Sequence, residues 1–96
     1  MNLEEQYKLK IIKIIQALLP EVQIYLFGSR ARGSHQPRSD IDIALDAGEP
    51  IDRLRLAEIR TVLEGTTIPY KIDVVDIHTV SDSMRQMIDQ EKIGWK

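Results

Sequence analysis

Cysteine is absent from this 96-residue chain, which removes disulfides, thiolate metal sites and a cysteine nucleophile together. That absence fits a reducing compartment, and a cytoplasmic location is the expectation. Long apolar runs are missing too. The longest are about five residues, far short of the roughly 20 that cross a bilayer. The opening Met1-Asn2-Leu3-Glu4-Glu5 lacks the basic start and apolar block of a secretory signal, so a protein neither spanning a membrane nor exported is expected. Nor is there an excess of positive charge: 13 Lys and Arg against 15 Asp and Glu leave a formal charge of -2. With aromatic residues at only 5%, the chain offers no stacking track, and a stable nucleic-acid partner is not expected. What is present, 43% hydrophobic and 29% charged residues, is the composition of an ordinary folding domain.

Apolar residues Tyr7, Ile11, Ile12, Ile15, Leu18 and Leu19 recur at three- and four-residue steps, which predicts an amphipathic helix ended by Pro20. Val22 to Phe27 alternates and is rich in strand formers, Asp40 to Leu45 reads as a second strand, and Tyr70 to Ile77 as a third. Between them, Ile51 to Leu63 reads as a helix with Pro50 near its start and Gly65 just past its end. Thr79 to Glu91 reads as a final helix, opened by a Thr79-x-x-Asp82 capping box. Strands alternating with helices give an α/β class, with strand direction left open by periodicity.

The chemistry concentrates between residues 28 and 42. Gly28-Ser29-Arg30-Ala31-Arg32-Gly33 follows a strand. Glycine lets backbone N–H groups approach an anion, and Ser29 can cap a short helix or donate its hydroxyl to a phosphate oxygen. No acidic residue occurs from Gly28 to Ser39 while Arg30, Arg32 and Arg38 do, so the loop is basic inside an acidic protein and suits a triphosphate. Asp40 and Asp42 are two apart on a strand, so both leave one face with roughly 6.5 to 7 Å between Cα atoms. A hard cation such as Mg²⁺ relieves their repulsion. A two-metal phosphoryl site usually wants a third carboxylate. Asp73, mid-strand in Lys71-Ile72-Asp73-Val74-Val75-Asp76, is costly there unless something satisfies it. Asp76 points to the opposite face and reads as a solvated or turn residue.

Gly-Ser, then about ten residues, then Asp-x-Asp and a later strand Asp resembles, over the whole chain, the minimal nucleotidyltransferases of the DNA polymerase beta superfamily. The resemblance implies a single minimal nucleotidyltransferase domain over residues 1–96, with a short mixed sheet flanked by helices. It implies a nucleotide-phosphate site at Gly28, Ser29, Arg30 and Arg32, and catalytic, metal-holding carboxylates at Asp40, Asp42 and Asp73 with two Mg²⁺ ions. The implied reaction moves a nucleoside monophosphate, most often AMP from ATP, to an acceptor hydroxyl. Larger relatives hold the acceptor on a second domain, for which 96 residues leave no room. In the minimal subfamily the acceptor is usually a tyrosine of a separate helical HEPN-type protein, the pair acting as toxin and antitoxin. A hetero-oligomer is thus implied, with a homodimer as the other assembly. The competing reading is a noncatalytic nucleotide-binding module that neutralises its partner by covering it.

The remaining candidates have plainer readings. His35 and His78 lack a second ligand at metal spacing and read as surface residues. Met84, Met87 and Ile88 read as a core-facing stripe. Trp95 must either fold back or dock on another chain.

Overall fold

The computed structural model describes residues 3–34 and 36–95, which leaves His35 outside the described residues. Helix α1 (Leu3–Leu18) leads into strand β1 (Gln23–Phe27), a single turn α2 (Ser29–Arg32), β2 (Ile41–Asp46), α3 (Arg53–Glu64), β3 (Ile72–Asp76), α4 (Asp82–Glu91) and the two-residue β4 (Ile93–Gly94). The strands form one sheet in the order β3-β2-β1-β4. It is mixed: β1 runs antiparallel to both β2 and β4, while β2 and β3 are parallel. The parallel pair requires a crossover, and α3 supplies it.

The two faces of the sheet divide the hydrophobic residues. Ile24, Ile41, Ile43, Leu45 and Val74 pack with Ile11, Ile12 and Ile15 of α1 and with Ile59 and Leu63 of α3. Ile11, Ile15, Ile24, Ile43, Leu45 and Ile59 are fully buried, each contributing about 1.5–3 kcal/mol by leaving water. The other face carries a smaller cluster of Phe27, Ala44 and Ile77 beneath Ile88 of α4. Because α4 covers only part of this face, the row formed by Phe27, Asp42 and Asp73, which are register partners across β1, β2 and β3, stays open at its edge.

Helix α4 begins later than the Thr79-x-x-Asp82 pattern predicts. Ser81 is the cap, its Oγ accepting from the Met84 N–H at 3.2 Å, while Thr79 lies in the preceding turn and donates its hydroxyl to the Asp76 carbonyl. This phasing turns Ile88 inward and leaves Met84 and Met87 each 37% exposed, so the two methionines are not core residues. Helix α3 starts at Arg53 rather than Ile51 because the Ile51 N–H is drawn to Asp76 Oδ2 at 2.7 Å.

Asp76 itself overturns its expected solvated role: it is 1% exposed, and its second oxygen accepts from the His78 N–H at 2.9 Å. Two backbone donors satisfy the buried carboxyl. His78 is likewise not a surface residue; its side chain is half-buried and its Nε2 lies 2.8 Å from Asp46 Oδ1. The Gly48 N–H donates to that same oxygen, and this bond, followed by His78, holds the Asp46 carboxyl below its ordinary range. A depressed carboxyl stabilises the fold above the unfolded-chain pKa, and the gain fades as pH falls through the folded value. Asp46→Asn is therefore expected to melt lower than the parent at pH 7, with the gap narrowing as pH falls below the ordinary aspartate value of about 3.9. Thermal melts from pH 7 to 2.5 check this, and a gap constant across the range would contradict it.

The chain end folds back. Ile93 and Gly94 pair with Leu26 and Tyr25, the Trp95 N–H donates to the Ile24 carbonyl at 2.8 Å, and the indole packs on the main core. Lys8 Nζ sits 5.7 Å from the centre of its ring. A strand of two residues has no period to read, which is why β4 leaves no trace in the sequence pattern.

Candidate active site

Where the sheet emerges from under α4, a cleft of about 650 Å³ opens. Its floor is the end of β1, the start of β2 and the start of β3, represented by Phe27, Asp42 and Asp73. Gly28 and Ser29 close one side. Three features of the backbone make this floor. Gly28 turns the chain out of β1 with φ 77 and ψ -158, a conformation essentially confined to glycine. Its carbonyl accepts from the N–H groups of Ala31 and Arg32, which winds α2. Gly33, at φ 77, ends that turn in the left-handed conformation.

Asp42 lies directly over Gly28, against the place where a side chain would otherwise start. Its Cα is in register with that of Asp73 on the parallel neighbour, about 4.8 Å away at ordinary strand spacing. Burial raises the Asp42 carboxyl above its usual range, and the negative charges of Asp73 and Asp40 raise it further. Arg32 pulls it partly back, and Glu91 adds a smaller upward push. Asp42 is thus under electrostatic stress that a cation would relieve.

The predicted residues do not all converge. Gly28, Ser29, Arg32, Asp42 and Asp73 line the cleft. Asp40, half-buried one residue before β2, is absent from that lining and acts on Asp42 through its charge. Arg30, expected at the nucleotide-phosphate site, does not line this cleft. Its guanidinium reaches the opposite face of the sheet, into a small cavity with Leu26, Ile41 and Tyr70. Among the described residues, no three His, Cys, Asp or Glu side chains form a ready metal cage. Two carboxylates nevertheless fit Mg²⁺ that arrives with a nucleotide, because Mg²⁺ is commonly held by one or two carboxylates plus substrate phosphates.

Further residues line the cleft beyond those the sequence pattern marks. Lys71 Nζ lies 3.8 Å from Asp73 Oδ1, and its place two residues before Asp73 is a signal that strand alternation offers. Arg60 of α3 donates to the Val74 carbonyl through Nε at 3.1 Å and Nη2 at 2.7 Å, covering the outer edge of β3. Nothing in its helical spacing marks it apart from any solvated arginine. Met84 and Met87 form an apolar wall. Glu91, at the end of the same helix, receives Arg32 Nη1 on Oε2 at 2.9 Å.

The sequence model of the family described as Polymerase beta, Nucleotidyltransferase matches residues 9–93. The chain is 35% identical over 88 residues to the Protein adenylyltransferase MntA of Shewanella oneidensis, covering 90% of this chain and 63% of that protein. Among solved structures it resembles a toxin-antitoxin with AMP-PNP at TM-score 0.78 and 30% identity, covering 93% of this chain and 72% of the other. It also resembles, at TM-score 0.77 and 26% identity, the tri-AMPylated Shewanella oneidensis HEPN toxin in complex with MNT antitoxin, covering 98% of this chain and 72% of the other. No helix among the described residues is long and apolar enough to cross a membrane.

Proposed function

Because the chain belongs to the polymerase beta nucleotidyltransferase family, we propose that it transfers AMP from ATP to a hydroxyl of a HEPN-type partner protein, a tyrosine by chemical preference, and so acts as an antitoxin. The observation that carries this reading is the Asp42–Asp73 pair, in register across β2 and β3 beside the Gly28 turn, with the Asp42 carboxyl raised by burial and then by its acidic neighbours. The relatives carry the same chemistry in their names: an adenylyltransferase, a complex with an ATP analogue and an AMPylated HEPN toxin.

In this reading Ser29 and Arg32 hold the terminal phosphates from one side of the cleft. Asp42 and Asp73 would hold Mg²⁺ that arrives with the nucleotide, with Asp40 adding charge behind Asp42. The ion supplies neutralisation of the phosphates and of the departing pyrophosphate. The acceptor oxygen bonds to the α-phosphorus as the bond from that phosphorus to the α–β bridging oxygen breaks. Asp73 takes up the hydroxyl proton, and pyrophosphate leaves. Most of the rate comes from positioning and preorganised charge. A tyrosine suits the cleft because its ring would meet the Met84 and Met87 wall while its oxygen reaches the carboxylates.

The test incubates the purified protein with Mg²⁺ and ATP labelled at the α- or the γ-phosphate, in lysate of the organism that encodes it, followed by mass spectrometry of labelled proteins. α-Label on a protein hydroxyl is expected, dependent on Mg²⁺. γ-Label on a protein that stays unlabelled in the lysate alone would indicate a kinase and overturn the proposal. No label, with a tight complex formed equally well without nucleotide, would favour a covering module instead.

A further inference from the structure

We infer that Arg30 is a positioning residue that locks the three segments of the site together from behind the sheet, rather than a phosphate ligand. The inference rests on the reading above for what is being positioned. It rests on geometry for the rest. The Arg30 side chain leaves α2 beside Ser29 but passes to the face of the sheet away from the cleft, where Leu26 and Ile41 point. There its Nε and Nη2 both donate to the Ser39 carbonyl, at 3.1 and 2.9 Å, and Nη2 lies 3.5 Å from the Pro37 carbonyl. The flat guanidinium also stacks over Tyr70, 4.6 Å from the ring centre. Tyr70 is braced in turn by Tyr7 of α1, edge-on at 5.7 Å.

Each contact belongs to a different part of the site. Ser29 adjoins Arg30 in the chain. Ser39 immediately precedes Asp40 and the strand bearing Asp42. Tyr70 lies three residues before Asp73, and the Lys71 carbonyl between them accepts from the Ile41 N–H at 2.9 Å. One side chain therefore fixes the phosphate turn, the Asp-x-Asp segment and the third carboxylate segment relative to one another. Only arginine combines a two-donor fork with a stacking plane, so lysine at this position keeps the charge and loses the lock. A misplacement of about 1 Å among reacting groups costs on the order of a hundredfold in rate.

The test compares Arg30→Lys, Tyr70→Leu, Tyr70→Phe and the Arg30→Lys/Tyr70→Leu double variant, all assayed well below their melting temperatures. In the transfer assay, kcat is expected to fall roughly 10- to 100-fold in Arg30→Lys and Tyr70→Leu. Affinity for AMP-PNP with Mg²⁺ should stay within about threefold, the double variant should be no worse than the poorer single one, and Tyr70→Phe should behave as wild type. Amide hydrogen exchange over residues 36–42 and 70–73 should accelerate about tenfold in both Arg30→Lys and Tyr70→Leu, a readout independent of transfer. Loss of AMP-PNP affinity in Arg30→Lys with Tyr70→Leu unaffected would make Arg30 a phosphate ligand and overturn the inference. Unchanged exchange in both variants would overturn it as well, whatever the wild-type activity. Failure of the functional reading shows separately, as absence of transfer by the wild type.

Discussion

Asp42→Asn is expected to lower AMP transfer by roughly a thousandfold or more while making the metal-free protein harder to melt. The two effects have one cause. In the folded chain the Asp42 carboxyl is raised by burial first, and then by Asp73 and Asp40. A carboxyl that titrates higher folded than unfolded binds its proton preferentially in the folded state. Stability therefore falls as pH rises from about 3.9 through the raised value, and the deficit persists at neutral pH. Asparagine is nearly isosteric and uncharged, so it removes that deficit, and with it one carboxylate oxygen of the proposed Mg²⁺ site. Melting curves at pH 7 in EDTA and with Mg²⁺ and ATP check the first half, and the labelled-ATP assay checks the second. The variant should start higher and gain less from Mg²⁺ and ATP than the parent. Equal gains in both proteins would remove Asp42 from the metal site.

Gly28→Ala is expected to be nearly as damaging to transfer, on the order of a hundredfold, and in addition to destabilise. A methyl group at Gly28 would overlap Asp42 Oδ2 and lie 3.1 Å from its Cγ and 3.3 Å from its Cβ, so the carboxylate would have to move. The backbone at φ 77 and ψ -158 also costs an alanine about 1–3 kcal/mol. Gly33→Ala separates the two contributions. Gly33 has the same φ of 77 but nothing within 4 Å of the added methyl, so it should lose about 1–2 kcal/mol of stability and keep transfer within a fewfold of wild type. If Gly33→Ala abolished transfer as fully as Gly28→Ala, the damage would come from the strain of α2 rather than from the displaced carboxylate.

The parts of the site that are legible in the sequence are those whose geometry is local. A glycine at a strand end, a serine after it and aspartates two apart on a strand announce themselves by chain spacing alone, and the α/β alternation of the elements follows from periodicity. Which residues meet across strands does not. The registry of Asp42 with Asp73 depends on β2 and β3 being parallel, and periodicity is blind to strand direction. Arg30 and Arg32 look alike as charges in a basic loop, yet one turn of α2 sends them to opposite faces of the sheet, Arg32 into the cleft and Arg30 behind it. Asp76 reads as solvated because its partners are backbone N–H groups of Ile51 and His78, which no side-chain pattern records. The methionines read as core because helical spacing shows which residues share a stripe, whereas the cap at Ser81 decides which flank of α4 is covered.

The mixed sheet has a kinetic consequence. The antiparallel β1–β2 contact closes over the connection from Gly28 to Asp40, but Asp42 and Asp73 stand 31 positions apart in the chain, and Leu26 meets Ile93 across 67 positions. Pairings so distant form late, after the entropy of closing their loops has been spent. The hairpin that carries Gly28 and Asp42 can thus assemble early without its third carboxylate, and the repulsion of Asp42 by Asp73 is deferred until α3 has docked and β3 has locked alongside β2. A nucleotide supplied during refolding should accordingly leave the folding rate almost unchanged and slow unfolding instead, acting as a clamp on the finished molecule rather than as a template for its assembly.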